Sequence, residues 1–253
     1  MALPLDQRGA GEAVVLLHAG IADRTMWTEH LTPVAATGRR VIAVDLPGFG
    51  EAPFGPGPLA HWLNVLGTMD ELAIERAALI GASFGGAVAL RVAALYTDRV
   101  SSLVLSSSPT APEPEPSPTL LAAWEAEEAA LERRDVEAAV EAVLEAWLPQ
   151  DAPSRLRERV VAMQRRNFAL QLSEPEPEQA PDPLERDPEL LRRIQCPVLL
   201  LAGAEDMVDF KAAALDLEER LPRANRIVIP AVAHLAPLEA PDVFLRHVFD
   251  ALS

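Results

Sequence analysis

The sequence predicts a doubly wound α/β domain with a mostly parallel sheet. Six short runs rich in Val, Ile and Leu recur along the chain without alternation of apolar and polar residues, which is typical of strands buried on both faces. A longer stretch with helical spacing follows each run, and a β-α-β-α succession indicates a parallel sheet. The predicted strands cover residues 13–17, 41–44, 77–80, 103–105, 198–201 and 226–229.

Length and composition agree with one large globular core. The chain has 253 residues, of which 49% are hydrophobic, and this is enough to bury a full core without disulfides. A lone cysteine, Cys196, cannot form an intrachain disulfide. The formal net charge of −16 makes nucleic acids and anionic membranes poor partners. The first dozen residues lack a basic segment leading into an apolar one, so the expected location is the cytoplasm.

A segment of different amino-acid composition separates the fourth and fifth predicted strands. Its two edges, residues 106–118 and 173–188, are rich in proline and acidic residues, which predicts irregular linkers that act as solvated spacers and carry no chemistry. Between them, apolar residues repeat at three and four positions, which predicts three amphipathic helices. We therefore predict a core formed by residues 1–106 and 194–253, and a helical cap formed by residues 107–193 and inserted after the strand near residue 105.

The predicted cap lies where a substrate pocket is expected. Open α/β sheets bind ligands beyond the carboxyl ends of their strands, so helices inserted after a strand should roof that crevice. Four large residues of the cap, Trp124, Trp147, Met163 and Phe168, could line the pocket, but their helical spacing favours the core of the cap. The partner expected there is a small-molecule substrate, and the sequence leaves the oligomeric state open.

The most specific local signal is a glycine-rich turn at residues 81–86, which read GASFGG. It lies between a predicted strand and a predicted helix, and a serine at such a turn takes a strained backbone conformation that needs small neighbours. Ser83 would stand at the N-terminus of the helix, where backbone N–H groups favour developing negative charge. Ser83 is therefore the predicted nucleophile.

A serine hydroxyl needs a base, and the base needs an orienting carboxylate. Three of the five histidines, His30, His61 and His247, lie in helical stretches, where packing or surface roles are favoured, and His18 is expected to shape a loop by hydrogen bonding. His234 follows the last predicted strand at the edge where the other site residues emerge. His234 is therefore the predicted base.

The carboxylate is expected after the strand at residues 198–201. Asp206 is the candidate there, and spacing alone leaves its neighbours Glu205 and Asp209 open. The chain order Ser83, Asp206, His234 matches the order serine, acid, histidine that is known for a strand-turn-helix nucleophile of this kind.

Several further motifs resemble those of the α/β-hydrolase superfamily, in particular its serine-nucleophile members with a cap domain. The resemblance extends along almost the whole chain. Besides the serine turn, it rests on the His18-Ala19-Gly20 segment followed by Trp27, the turn DLPGFG at residues 45–50, the turn from Gly203 to Asp206, and the segment from Ala233 to Pro241. In the DLPGFG turn, Ala52 replaces the serine that usually follows. The turn motif places Asp206 ahead of its neighbours as the triad acid.

The resemblance also implies an oxyanion hole and a shortened edge of the sheet. The N–H of Phe84, directly after the nucleophile, is one expected donor. Counting from His18 and Trp27 selects Gly20 as the second donor, whereas anchoring on the glycine of the motif selects Ile21, because Ala19 stands where the family has glycine. Family members usually have two antiparallel strands before the His-Gly strand, but here only one short strand fits, near residues 2–6.

These features predict a serine hydrolase that cleaves a small, mostly neutral carboxylic ester, thioester or lactone through an acyl-enzyme. No metal or organic cofactor is implied, because the chain supplies nucleophile, base and electrophilic donors. Serine at position 83 argues against the carboxylate-nucleophile chemistry of dehalogenases and epoxide hydrolases. Two alternatives stay open: C–C bond hydrolysis, perhydrolysis or lyase chemistry with the same triad, and a slow or non-catalytic ligand-binding receptor on the same fold.

Overall fold

The computed structural model describes residues 2–253 and contains one seven-stranded sheet. Strands β2 to β7 run parallel, β1 is antiparallel to β3, and the spatial order is β1-β3-β2-β4-β5-β6-β7. The doubly wound α/β prediction is confirmed. The strands are β1 (Leu5–Arg8), β2 (Glu12–Leu17), β3 (Arg39–Val44), β4 (Ala77–Ala82), β5 (Val100–Ser106), β6 (Val198–Gly203) and β7 (Ala224–Ile229).

Helices cover both faces of the sheet. Alternate strand residues point to opposite faces, so Val14 and Leu16 join one hydrophobic cluster whereas Val15 and Leu17 join the other. The core helices are α1 (Thr28–Ala35), α2 (His61–Glu71), α3 (Phe84–Leu95), α8 (Val208–Arg220), α9 (Ala236–Glu239) and α10 (Pro241–Leu252). The first cluster contains residues of α1 and α10, the second contains residues of α2 and α3, and α8 contributes to both.

The amino-terminal edge of the sheet has a single short strand. The sequence predicts one strand near residues 2–6, and the structure has β1 at Leu5–Arg8, paired antiparallel with β3. The offset follows from the pairing register, which sets Leu5 opposite Val44 and Arg8 opposite Val41. Among the residues that the structure describes, no helix is long and apolar enough to cross a membrane.

Three long helices occupy the segment between β5 and β6, where the sequence predicts the cap. They are α4 (Pro118–Glu132), α5 (Val136–Trp147) and α6 (Ser154–Gln171). The second proline-rich edge departs from the irregular structure predicted for it, because it contains the short helix α7 (Pro183–Arg186). Asp182 caps this helix by accepting a hydrogen bond from Leu184 N, and Pro183 fits at the first helical position, where no N–H is needed.

The parallel strands bring the candidate residues to one edge of the sheet. Strands β2, β4, β6 and β7 point in the same direction, so the residues that follow them emerge at the same end. His18 follows β2, Ser83 follows β4, Asp206 lies in the turn after β6, and His234 lies in the loop after β7. The fold therefore places all these side chains at the carboxyl edge, beneath the cap helices.

Candidate active site

Ser83 occupies a strained turn between β4 and α3. Its backbone φ of 49° lies in the left-handed region, which side chains other than glycine rarely adopt. The turn is possible because the residues two positions before and after Ser83 are glycines: a Cβ on Gly81 would lie 2.4 Å from Gly85 O, and a Cβ on Gly85 would lie 2.3 Å from Leu17 O. The Ser83 N–H donates to Ser106 O at 2.8 Å, which ties the turn to the end of β5.

Asp206 and His234 form a buried hydrogen-bonded pair. His234 Nδ1 lies 3.0 Å from Asp206 Oδ1, and the two side chains are 3% and 1% exposed. A carboxylate can only accept here, so Nδ1 carries a proton, and in the neutral imidazole Nε2 keeps its lone pair. Asp206 Oδ1 also accepts from Met207 N at 2.8 Å. The other two acids left open by the sequence make no hydrogen bond to His234: Glu205 is exposed and Asp209 binds Ser117.

The loop that carries His234 is held by backbone contacts and by one carboxylate. A Cβ on Gly203 would lie 2.0 Å from Ala233 O, so only glycine at the end of β6 lets the loop approach this closely. Glu239 accepts from Ala233 N at 2.8 Å and from Leu235 N at 2.6 Å, the residues on either side of His234. Burial raises the pKa of Glu239, and these two N–H donors oppose that shift.

Two aromatic residues connect His234 to the cavity that Ser83 lines, and no hydrogen bond joins the side chains of Ser83 and His234. Ser83 lines a cavity together with Trp147 and Phe210. The rings of these two residues pack against the imidazole of His234, with centroid distances of 4.6 Å and 4.4 Å. His234 therefore lies one aromatic ring from the cavity. Hydrogen bonds between a nucleophile and its base often tighten only when substrate binds.

Gly20 and Phe84 lie side by side at the cavity. Phe84 is the first residue of α3, and the helix leaves the first N–H groups without internal partners. A Cβ on Gly20 would lie 3.6 Å from Phe84 Cβ, which puts the loop after β2 directly against the start of α3. Gly20 lines the cavity with Ser83, whereas Ile21 does not and packs its side chain into the hydrophobic cluster.

The cavity has a volume of about 510 Å³ and follows one face of α3. Phe84, Ala87, Val88 and Arg91 line it at the spacing of a single helical face, and these residues span about 12 Å of helix at 1.5 Å per residue. The cavity therefore extends away from Ser83 along the helix that the serine begins. This size and shape suit a small molecule with an elongated substituent.

The cap forms the opposite wall, and two expectations about it are corrected. Trp124 and Trp147 line the cavity, whereas Met163 and Phe168 are buried in the cap core, so the four aromatic and apolar residues divide into two groups. The proline-rich linkers are more than solvated spacers, since both line the cavity. Their lining residues are Pro109, Thr110, Glu113, Pro114 and Pro116 from the first linker, and Gln179, Ala180 and Asp182 from the second.

The linkers reach the cavity because specific contacts hold them there. Leu59, just before α2, donates its N–H to Glu178 O at 2.8 Å and accepts from Ala180 N at 2.9 Å. The Arg91 guanidinium donates to Asp182, with Nε at 2.8 Å from Oδ2. The helical spacing from Phe84 to Arg91 could have indicated from the sequence that α3 forms this wall. Nothing in the sequence indicated which residues the linkers bind.

Polar side chains of α6 attach the cap to the loops after β2 and β3. Asn167 is fully buried, donates to Ala22 O at 3.0 Å and accepts from Gly50 N at 2.9 Å. Arg166 donates to the buried carboxylate of Asp23 at 2.6 Å. Helix α6 therefore contacts the loop that contains Gly20 through several hydrogen bonds.

The remaining histidines have distinct surroundings. His18 shapes its loop as expected, because Leu46 N donates to its Nε2 at 2.9 Å and its Nδ1 donates to Ala19 O at 2.9 Å. His30 is buried between Trp27 and Phe244. His61 differs from the packing role expected for it, since it lines the cavity beside Phe84.

Comparisons with known proteins place the whole chain in one family. A family model described as alpha/beta hydrolase fold matches residues 12–241. The pimeloyl-[acyl-carrier protein] methyl ester esterase of Pectobacterium atrosepticum is 31% identical over 98% of this chain and 97% of its own length. The solved enol-lactonase of Burkholderia xenovorans LB400 superposes with a TM-score of 0.76, 25% identity, and coverage of 98% of this chain and 96% of the other.

A more local similarity joins the chain to another relative. The 2-hydroxy-6-oxo-6-phenylhexa-2,4-dienoate hydrolase of Comamonas testosteroni is 37% identical over 107 residues, which is 40% of this chain and 37% of that enzyme. The family match, by contrast, spans strands β2 to β7, the cap segment and every candidate residue described above. The chain therefore belongs to the α/β hydrolase fold family.

Proposed function

We propose that the protein is a serine hydrolase that cleaves a small, mostly neutral carboxylic ester, thioester or lactone. The single observation that carries the proposal is the strained Ser83 at the N-terminus of α3, lining a cavity whose wall also contacts the His234–Asp206 pair. A nucleophile, a base with a free Nε2 and an orienting carboxylate are the components that acyl transfer to water requires.

In this mechanism Ser83 Oγ attacks the carbonyl carbon and His234 Nε2 takes its proton. Asp206 holds the imidazole in the Nδ1–H tautomer and stabilises the cation that forms. The backbone N–H groups of Phe84 and Gly20 bind the developing oxyanion, and each such donor contributes about 3 kcal/mol of transition-state stabilisation. Collapse of the intermediate expels the alcohol, thiol or ring oxygen, which receives the proton from His234. Water then hydrolyses the acyl-enzyme by the same steps.

The proposed substrate class is supported by the relatives and by the cavity. The relatives above carry the names methyl ester esterase and enol-lactonase, which are hydrolases of an ester and of a lactone. The lining of the cavity is mostly aromatic and aliphatic, and its permanent cation, Arg91, is already paired with Asp182. A neutral substrate therefore suits the cavity better than a carboxylate such as the dienoate in the name of the local relative.

The test is labelling by a fluorophosphonate together with turnover of p-nitrophenyl butyrate. We expect the wild type to label stoichiometrically and to hydrolyse the ester, and the Ser83→Ala variant to do neither, with kcat lower by about 10⁴-fold or more. The reagent reacts only with an activated serine, so labelling reports directly on the role assigned to Ser83.

Ser107 provides a matched control. It also follows a strand and has a φ of 49°, but it does not line the cavity. The Ser107→Ala variant should label like the wild type. A folded, monodisperse wild type that does not label would contradict the proposal and favour a ligand-binding receptor, and unchanged turnover in Ser83→Ala would remove Ser83 from the mechanism.

A further inference from the structure

His61 is a polar side chain in the aromatic part of the cavity wall. It is the first residue of α2 and packs edge-on against Phe84, with ring centroids 4.8 Å apart and an interplanar angle of 87°. Phe84 directly follows Ser83 and in turn packs against Phe49, which also lines the cavity. The imidazole therefore lies next to the residue that carries one of the proposed oxyanion donors.

The ring nitrogens of His61 have no hydrogen-bond partner within residues 2–253. The residue is 8% exposed, and its Nδ1 is buried and unpaired. His18 differs, since both of its nitrogens are paired. An unpaired buried polar atom costs about 1–3 kcal/mol, so such atoms are uncommon unless a ligand or water supplies the partner. The cavity is the space from which a partner for His61 can come.

The chemistry of that partner follows from charge. Burial, with the nearby His18 as a second cause, lowers the pKa of His61 to about 4, so the imidazole is neutral near pH 7. A neutral imidazole offers one donor and one acceptor. The charged residues that line the cavity are Arg91, Glu113, Asp182 and Asp209, and the one cation among them is bound by Asp182. A carboxylate would meet excess negative charge there.

We propose that His61 is a specificity-determining residue, which binds a neutral oxygen function, a hydroxyl or a ketone, carried by the substrate near the scissile carbonyl. This inference rests on the proposed function and specifies its substrate class. A hydroxyl or ketone satisfies the free nitrogen of a neutral imidazole, whereas a plain alkyl group leaves it unpaired. The proposed substrates are therefore hydroxy or oxo esters and lactones.

The experiment compares kcat/KM for ethyl 3-hydroxybutyrate, ethyl acetoacetate, ethyl butyrate and monoethyl succinate. Its readout is the ratio of each oxygenated ester to ethyl butyrate, which cancels changes that affect all substrates equally. We expect His61→Leu to lower this ratio about tenfold for the hydroxy and oxo esters, the effect of one lost hydrogen bond. His61→Gln should restore most of it, and His61→Phe provides a second apolar variant if leucine impairs folding.

His247 on α10 provides a matched histidine outside the cavity, and His247→Leu should leave the ratio as in the wild type. A ratio that is unchanged in both His61→Leu and His61→Phe would overturn the inference while leaving the hydrolase proposal intact. A preference for monoethyl succinate that depends on His61 would also overturn it. Absence of Ser83-dependent turnover of every ester would refute the proposed function and this inference together.

Discussion

Asp206 and Asp209 both follow β6, yet they serve two different regions of the molecule. Asp206 is buried and accepts from His234 at the edge of the sheet. Asp209 is half-buried and binds Ser117 of the cap, whose N–H and hydroxyl donate at 2.7 Å and 2.6 Å. The sheet edge is positioned by strand ends and close backbone approaches, whereas the cap is attached by side-chain hydrogen bonds. Substitutions should therefore affect chemistry in the first region, and stability or substrate binding in the second.

The largest effect is expected from Asp206→Asn. The amide cannot hold the Nδ1–H tautomer of His234 as a carboxylate does, so kcat for p-nitrophenyl butyrate should fall by about 10⁴-fold, as analogous substitutions in serine proteases do. In Asp209→Asn, the weakened bond to Ser117 should lower the free energy of unfolding by about 1 kcal/mol and change kcat by less than about tenfold. Equal losses of kcat in the two variants would contradict the division between the regions.

An intermediate effect is expected where α6 attaches the cap. Asn167→Ala leaves the half-buried Gly50 N–H and the buried Ala22 carbonyl without their partners, so the free energy of unfolding should fall by about 2–3 kcal/mol. Urea unfolding followed by circular dichroism measures this change. Gln171→Ala is the control, because it removes a single, half-buried bond to Gly48 O and should cost about 1 kcal/mol or less. A smaller loss in Asn167→Ala than in the control would show that these contacts do not hold the cap.

The smallest effect is expected in the pH dependence of stability, through the buried side chain of His30. Burial lowers the pKa of His30 to about 4, with Arg159 as a second cause, against 6.5 for the free side chain. The unfolded chain therefore binds more protons than the folded one between these values, and stability falls as the pH is lowered through them. For this one histidine the expected loss between pH 7 and pH 5.5 is about 1 kcal/mol. His30→Leu should show a shallower dependence, and an unchanged slope in urea titrations would contradict the assignment.

The two regions also differ in how much of them the sequence could predict. The strands and the sheet-edge residues were predictable because local rules determine them: glycines around Ser83 have steric causes, and parallel strands bring Asp206 and His234 to one edge. The cavity wall was not, because its members meet through long-range contacts. His61 lies in a helical stretch like any packing residue, and only the tertiary structure sets it beside Phe84.

The contacts of the two linkers were unpredictable from the sequence for the same reason. Prolines and acidic residues predict irregular, solvated chain, and nothing local indicates that residues 178 and 180 pair with Leu59 or that Asp182 binds Arg91. The short helix α7 was missed for a related reason, since its start at Pro183 depends on one capping carboxylate within a segment whose composition argues against helices. Composition describes the average behaviour of such a segment, and individual contacts decide its actual path.

The position of the two linkers in the cavity wall makes them attractive for engineering. Residues 109–116 and 179–182 border the cavity but belong to no strand and to none of the three long cap helices. Segments of this kind tolerate changes of length and sequence better than regular elements do. Ala111 is the exception, because it belongs to the second hydrophobic cluster. A library that varies these loops but keeps Ala111 could therefore retune selectivity while leaving the hydrophobic clusters and the serine turn untouched.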